Sequence, residues 1–513
     1  MTPGTGDRAV GTPMTSGRSV IAQPDRRAPR PGGRVLIVSN RLPVTARVER
    51  GVIRRYPSTG GLAAGLRQVA LHWPVVWFGW QGLASEFDTG PAEIVGPGEG
   101  NRTISIPLSQ EEVCGFYRRY CNSVLWPILH RRMDEAHHDP EDWQTYCAVN
   151  ERYAGTVLRH LQPGDRVWVH DYHLFLVPRL LRERRPTVPV AFFLHTPFPE
   201  PEVFREIPES RELLEGMLGA DVLGFHTEAY KENFLRAVQA EGWTVEGSSV
   251  RVGRRRACVR VHPMGIDVES FARLAADPEV LTVVDWVRAN SGAILLGVDR
   301  LDYIKGIPER LLAFERLLQE HPELRGRVSL LQVAVPSREE LGAYRRLREY
   351  VEGLVHRINY TYARAGWTPV DYLHGSVDLN MLVALYRAAD VMVITSLRDG
   401  LNLVAKEFIA TRTDGDGVLI LSEFAGAAAE LKAALRVDPS DVDGLAQAYY
   451  RALTMPEAER RRRMRDLRRA IEANSVFDWA ADFVERLPAA GGLALAEAAV
   501  AGAAGFDAAD PEA

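Results

Sequence analysis

The 513-residue sequence predicts an α/β protein of two successive parallel-sheet domains, and three observations carry that reading. Short β-rich runs alternate with longer amphipathic stretches, the pattern of strands each followed by a helix. The runs form two series of similar size, parted near residue 270. The residues richest in chemistry fall just after the strands, where open parallel sheets hold their ligands.

In the first series, Val35–Ser39, Val75–Gly79, Val167–His170, Val190–Leu194 and Val222–Phe225 are short apolar runs, as strands covered on both faces require. Helices are expected at Glu111–Leu129, Glu141–Leu161 and Ala229–Ala240, and a loop from Val44 to Ser58. The second series contains Ile294–Val298, Val328–Val333, Val370–Leu373, Val391–Ile394 and Val418–Leu421. Its helices are expected at Ile307–Glu320, Arg338–Arg357, Asn380–Ala388 and Leu403–Ala410. His262–Ser270, followed by a charged helix to about Ala289, is the natural hinge. The expected division is therefore an arm over 1–33, domains over 34–270 and 271–487, and an Ala-rich tail over 488–513. Each domain reads as a Rossmann-like, doubly wound sheet, the two facing an interdomain cleft.

Composition narrows the function classes. The apolar fraction of 46% and charged fraction of 25% are those of a globular protein. A net charge of −5 favours neither nucleic acid nor membrane, so an anionic ligand must be held by local clusters. No apolar run approaches the ~18 residues of a membrane span. The first 32 residues are rich in Pro, Gly, Ser, Thr and Arg without an apolar core, which reads as a disordered arm rather than a secretory signal. The cytoplasm is the expected compartment. Cys114, Cys121, Cys147 and Cys258 show no zinc spacing and are expected to be reduced. Lysine occurs only at 231, 305, 406 and 432, so Lys305 and Lys406, both in loop-to-helix segments, stand out.

After strand Ile294–Val298, the loop Asp299–Gly306 carries Arg300 and Lys305 into a helix start, an arrangement suited to a diphosphate. The plainer alternative is an Arg300–Asp302 ion pair with Lys305 solvated. After Val391–Ile394 come Asp399–Gly400 as a turn, Asn402 as a plausible N-cap, and the amides of a helix beginning at Leu403. Glu407, one turn in, could receive ribose hydroxyls or simply complement the helix dipole. Ser58–Gly65, with Gly60 and Gly61, is a Gly-rich loop that lets backbone approach a phosphate. It is neither a Walker motif nor GxGxxG. Tyr117 and Trp126, nine apart on one helix, read by themselves as packing residues. Asp171 and His195 follow strands and suit sugar hydroxyls better than a metal, for which convergent ligands would be needed.

These segments in combination resemble trehalose-6-phosphate synthases. The resemblance is carried by VSNRLPV (38–44), STGGLAAG (58–65), WFGWQG (77–82), NSVLWP (122–127) and VWVHDYHL (167–174). It continues through FFLHTPFP (192–199), GFHTEAY (224–230), PMGID (263–267), DRLDYIKGIPER (299–310), INYTYARAGWTP (358–369) and RDGLNLVAKEF (398–408). It implies a GT-B fold and retaining, metal-independent transfer of glucose from UDP- or GDP-glucose to glucose 6-phosphate. By position, it implies that Arg300 and Lys305 grip the donor diphosphate, with Asn402 and the Leu403 and Val404 amides beside it. Glu407 matches a ribose contact, Asp399 and His195 lie at the donor glucose, and Gly60 and Gly61 belong to a loop over the donor phosphate. Arg41, Tyr117 and Arg338 match a clamp on the acceptor phosphate, and Trp126 and Asp171 match acceptor contacts. No resident cofactor is implied; a homo-oligomer is plausible by family. No strand-borne Asp-x-Asp-x-Thr follows the matched region, so dephosphorylation of the product calls for a separate phosphatase. The alternatives are a sibling transferase acting on glycerol phosphate and a non-catalytic sugar-nucleotide sensor. A nicotinamide dehydrogenase lacks its glycine fingerprint.

Overall fold

A computed structural model describes residues 33–50, 52–58, 61–84, 93–95 and 101–487. The expected tail, the expected arm up to residue 32, and Gly60 lie outside these residues. The first half contributes β1 (Val35–Arg41), β2 (Val44–Glu49), β3 (Val52–Pro57), β4 (Val75–Trp80), β5 (Glu93–Val95), β6 (Arg102–Ser105) and β7 (Arg166–His170). It continues with β8 (Val190–Phe193), β9 (Val222–Phe225), β10 (Thr244–Glu246), β11 (Ser249–Val252) and β12 (Arg255–Val261). Ten of these form one sheet in the order β10-β11-β12-β9-β8-β7-β1-β4-β6-β5. Its interior pairings are parallel, and antiparallel pairs occur only towards the two edges.

The second half builds a wholly parallel sheet from β13 (Ala293–Arg300), β14 (Val328–Val335), β15 (Val370–His374), β16 (Val391–Ile394), β17 (Val418–Ser422) and β18 (Leu435–Val437). Its order is β15-β14-β13-β16-β17-β18, the doubly wound arrangement. Strand order reverses between β1 and β7 in the first sheet and between β13 and β16 in the second. Crevices open at such reversals, beyond the carboxyl ends of the strands.

Three expectations change. Val44–Ser58 is not a loop: β2 and β3 pair as an antiparallel hairpin. Its exposed positions, Arg47, Arg54 and Arg55 among them, deny it the apolar run by which a buried strand is read. The helix expected from Arg338 begins at Gly342 and runs to Tyr362. Arg338 has φ of 50°, a left-handed backbone that a right-handed helix cannot include. The rod over Glu111–Leu129 is helical, but Val113–Leu125 is wound as a π-helix.

The last described helix, Val476–Glu485, returns to the first sheet. Trp479 lies 4.9 Å from the Trp168 ring and 5.2 Å from Phe193, and Phe483 is also 5.2 Å from Phe193. Full burial of such rings contributes about 1.5–3 kcal/mol each. The Trp479 indole donates to the His262 carbonyl at 3.1 Å, and His262 Nε2 lies 2.8 Å from the Trp479 carbonyl. One apolar core runs from Trp168 and Phe193 through Met264 and Trp479 to Leu296 and Met392, joining both sheets.

Candidate active site

The loops after β13 and β16 are locked together. Gly306 has φ of 62°, and a Cβ there would lie 2.0 Å from the Thr395 carbonyl oxygen, so only glycine fits. The Thr395 hydroxyl donates to the Gly306 carbonyl at 2.8 Å. This junction holds Lys305, whose ammonium reaches Asp399 Oδ2 at 2.5 Å. The same oxygen accepts from Ser396 Oγ and Asn402 Nδ2, each at 3.1 Å. Burial alone would raise the Asp399 carboxyl; the Lys305 charge and the hydrogen bonds outweigh it and hold the group below its usual value.

Asn402 caps the helix Leu403–Thr411, its Oδ1 accepting the Ala405 N–H at 3.1 Å. The amides of Leu403 and Val404 therefore open the helix beside the Lys305–Asp399 pair, at its positive end. Glu407 accepts the Tyr386 hydroxyl at 2.9 Å, and burial raises its carboxyl. Lys406 is not a free ligand group: it donates to the Met264 carbonyl and pairs with Glu430, both at 2.8 Å. Arg300 ends β13 with its side chain 45% exposed and only 3.8 Å from Asp302, a loose pairing. Of the plainer alternative, the Arg300–Asp302 ion pair is present, at 3.8 Å, but Lys305 is not solvated: its side chain is 11% exposed and paired with Asp399.

Trp126 is the centre of a second cluster, which Arg300 shares. Arg338 lies over its ring at 4.1 Å and Arg300 at 5.3 Å. The Arg338 side chain is only 6% exposed and donates to Tyr344 Oη at 2.5 Å, Asp302 Oδ2 at 3.2 Å and Tyr172 Oη at 3.3 Å. The Trp126 indole nitrogen is buried with no hydrogen-bond partner among the described residues. Arg41 lies over Trp80 at 4.7 Å, and Tyr117 meets the same ring at 5.5 Å. Tyr117 stacks on His173 at 6.0 Å, whose ring is 3.9 Å from Tyr172. Arg41, Tyr117, Trp126 and Arg338 thus line one continuous aromatic-lined wall.

Asp171 and His195 sit between the clusters. Asp171 has φ of 74°, and its Oδ1 accepts the His195 N–H at 3.2 Å. Burial pushes its carboxyl up to about 6 despite that bond and the nearby Arg300 and Arg338. His195 Nε2 lies 3.1 Å from His170 Nδ1, and burial holds His195 down to about 3, so the ring is neutral near pH 7. The lobes touch here: a Cβ at Gly400 would lie 1.9 Å from the His195 carbonyl, and one at Gly61 would lie 3.1 Å from Leu403 Cδ1. Tyr230 donates to the Asp399 carbonyl at 2.9 Å.

Asp171, Arg338 and Asn402 account for three of the five non-glycine residues with positive φ among the described residues. Such backbone costs of order 1–3 kcal/mol each and gathers where function requires it. Sequence reasoning missed Asp302 as the partner of Arg338 and gave no role to Tyr172, Tyr344, Asn122 or Tyr230. Tyr172, Asn122 and Tyr230 do stand in segments that carry the family resemblance; Tyr344 does not. Glu407 is engaged by Tyr386 rather than by the Lys305 cluster. Among the described residues, no group of three or more His, Cys, Asp and Glu side chains is arranged to hold a metal ion.

The chain compares closely with known proteins. The model of glycosyltransferase family 20 matches residues 33–489. An alpha,alpha-trehalose-phosphate synthase (UDP-forming) of Pichia angusta is 40% identical over 472 residues, covering 89% of this chain and 99% of that protein. A bifunctional trehalose-6-phosphate synthase/phosphatase of Thermoproteus tenax is 43% identical over 469 residues. That match takes in 88% of this chain but only 63% of the longer protein. The crystal structure of an alpha,alpha-trehalose-phosphate synthase (UDP-forming) from Burkholderia xenovorans with glucose-6-phosphate superposes with a TM-score of 0.81 at 38% identity. It covers 88% of this chain and 99% of that one. Two doubly wound sheets whose strand-end loops meet at clustered cations, and a family match from residue 33 to residue 489, lead to one conclusion: the chain is a GT-B enzyme that belongs to glycosyltransferase family 20.

Proposed function

We propose that the chain transfers glucose, with retention at the anomeric carbon, from UDP-glucose to glucose 6-phosphate, giving trehalose 6-phosphate and UDP. The observation that carries this reading is a run of adjoining cations: Lys305 beside a helix N-terminus, Arg338 and Arg41 along an aromatic wall, and Arg300 over the Trp126 ring that Arg338 also covers. The Lys305 end suits a diphosphate and the Arg338–Arg41 end a sugar phosphate. The UDP-forming relative supports uridine over guanosine in the donor.

In the reaction, the bond from the anomeric carbon to the β-phosphate oxygen breaks and the acceptor hydroxyl oxygen bonds to that carbon. The acceptor proton passes to the departing phosphate oxygen, so no carboxylate nucleophile is required. The transition state is oxocarbenium-like and the diphosphate gains negative charge as it leaves. Arg300, Lys305 and the Leu403 and Val404 amides bind that charge more tightly as it develops, which lowers the barrier. Asp399 orients Lys305 and leaves its second oxygen for sugar hydroxyls. Neutral His195 and the Asp171 carboxyl stand at the sugars, Glu407 and the Gly60–Gly61 loop at the nucleotide side. With cations and amides meeting the diphosphate, transfer proceeds without a metal.

Residues 34–270 and 271–487 are taken as the two domains, and the enzyme as cytoplasmic, its product passing to a separate phosphatase. No helix among the described residues is long and apolar enough to cross a membrane. The test is incubation with UDP- or GDP-glucose and either glucose 6-phosphate or glycerol phosphate, with product mass and anomeric configuration measured. An α,α-linked disaccharide phosphate from UDP-glucose is expected. Product from glycerol phosphate alone would select the sibling transferase, and nucleotide-sugar binding without turnover the sensor.

A further inference from the structure

The π-helix Val113–Leu125 runs for thirteen residues, long for a form usually confined to a single turn. In an α-helix residues advance by about 100°, so Tyr117 and Trp126, nine apart, would project from opposite sides. With i→i+5 bonding a helix has about 4.4 residues per turn, so nine residues complete about two turns and share a face. The wide form persists to the end of the segment, where the Trp126 N–H bonds the Cys121 carbonyl. The packing bears this out. Tyr117 stacks on His173, Trp126 lies 5.7 Å from Tyr172, and those two rings are neighbours. The wide winding is what lets one helix offer both rings to one wall.

Asn122 lies on that face and is 2% exposed. Its Nδ2 donates to the Tyr117 carbonyl at 2.6 Å, five residues back, and its Oδ1 accepts the Tyr172 hydroxyl at 2.9 Å. The Tyr172 oxygen in turn accepts from Arg338 at 3.3 Å. A single amide therefore joins the π-turn bearing Tyr117 to the guanidinium contributed by the other lobe. We propose that Asn122 is a positioning residue for the phosphorylated acceptor, fixing the wide turn that presents Tyr117 and aligning Arg338 through Tyr172. The proposal rests on the acceptor assignment made above and concerns a residue outside the assigned set.

The test separates acceptor from donor. Asn122→Ala should raise KM for glucose 6-phosphate about tenfold while KM for UDP-glucose and kcat stay within twofold. Tyr172→Phe should move the acceptor KM in the same direction, and the double variant should show less than the product of the two effects, because both break one link. An unchanged acceptor KM in Asn122→Ala, or equal loss for both substrates, overturns the proposal. Should Asn122→Ala fail to fold, an unchanged acceptor KM in Tyr172→Phe overturns it alone. Turnover of the unaltered enzyme with glucose 6-phosphate, read in the same assay, tests the acceptor assignment separately.

Discussion

Lys305→Ala separates the two jobs of one ammonium group. In the folded protein Lys305 and Asp399 are 2.5 Å apart, with side chains only 11% and 13% exposed. Removing one partner of a buried pair costs about 3–5 kcal/mol. Asp399 keeps Ser396 and Asn402 as donors, so a loss of about 2 kcal/mol is expected here. Turnover should fall about 10²–10³-fold, as when one donor to a developing charge is removed. Adding Asp399→Asn removes the orphaned charge, so the double variant should regain stability in thermal unfolding without regaining activity. The pH dependence has a defined sign. In the parent, Asp399 is held below its unfolded value near 3.9, so its stabilisation is present at neutral pH and lost as pH falls through the folded value. Without Lys305, burial raises the carboxyl and the sign reverses, so the stability gap between parent and variant should narrow from pH 7 towards pH 4. Near-parental turnover, or a double variant no more stable than Lys305→Ala, would refute the reasoning.

Further expectations are as direct. Arg300→Ala should leave the melting temperature nearly unchanged, because its side chain is half exposed and loosely paired, yet cut kcat about 10²-fold in the coupled UDP-release assay. Trp126→Leu removes the ring under Arg338 and Arg300, a contribution of about 0.5–2 kcal/mol; acceptor KM should rise several-fold and donor KM less, because Arg338 lies closer to the ring than Arg300. Asp171, raised to about 6, should add a rise in acceptor affinity as pH increases through 6 and a loss of stability from about pH 4 to 6. Both should vanish in Asp171→Asn, as titrations of binding and of thermal unfolding would show. Gly265→Ala would put a Cβ 2.1 Å from the Asn474 carbonyl oxygen, and a melting temperature lowered by several degrees is expected.

Most of the central strands were legible because their runs are apolar on both faces, and β13 to β17 follow the doubly wound order; β18, three residues with an exposed Arg436, was not expected. The β2–β3 hairpin was not legible, since exposed arginines at 47, 54 and 55 interrupt any apolar run. On the donor side the cap at Asn402 could be read from residue type alone, whereas the Lys305–Asp399 pair joins residues 94 positions apart. Arg338 was legible as a clamp only through the family, and its local structure was misread, because a left-handed residue before a helix leaves no periodic signal. The π-winding of Val113–Leu125 is equally silent. Its apolar spacing reads as ordinary helix, and the Tyr172 hydroxyl that meets its Asn122 amide is 50 positions away.

The chain passes between the lobes twice, and the two passages run side by side. Ile266, on the outward path, bridges Ser475 on the way back, and the Asn474 amide donates to the Pro263 carbonyl at 2.6 Å. A lone tether would let one lobe swivel and slide over the other. Two passages fastened together restrain the halves more than one tether would, so the registry of Lys305 and Asp399 with Asp171 and His195 is carried partly by this spine and not by the site's own contacts alone.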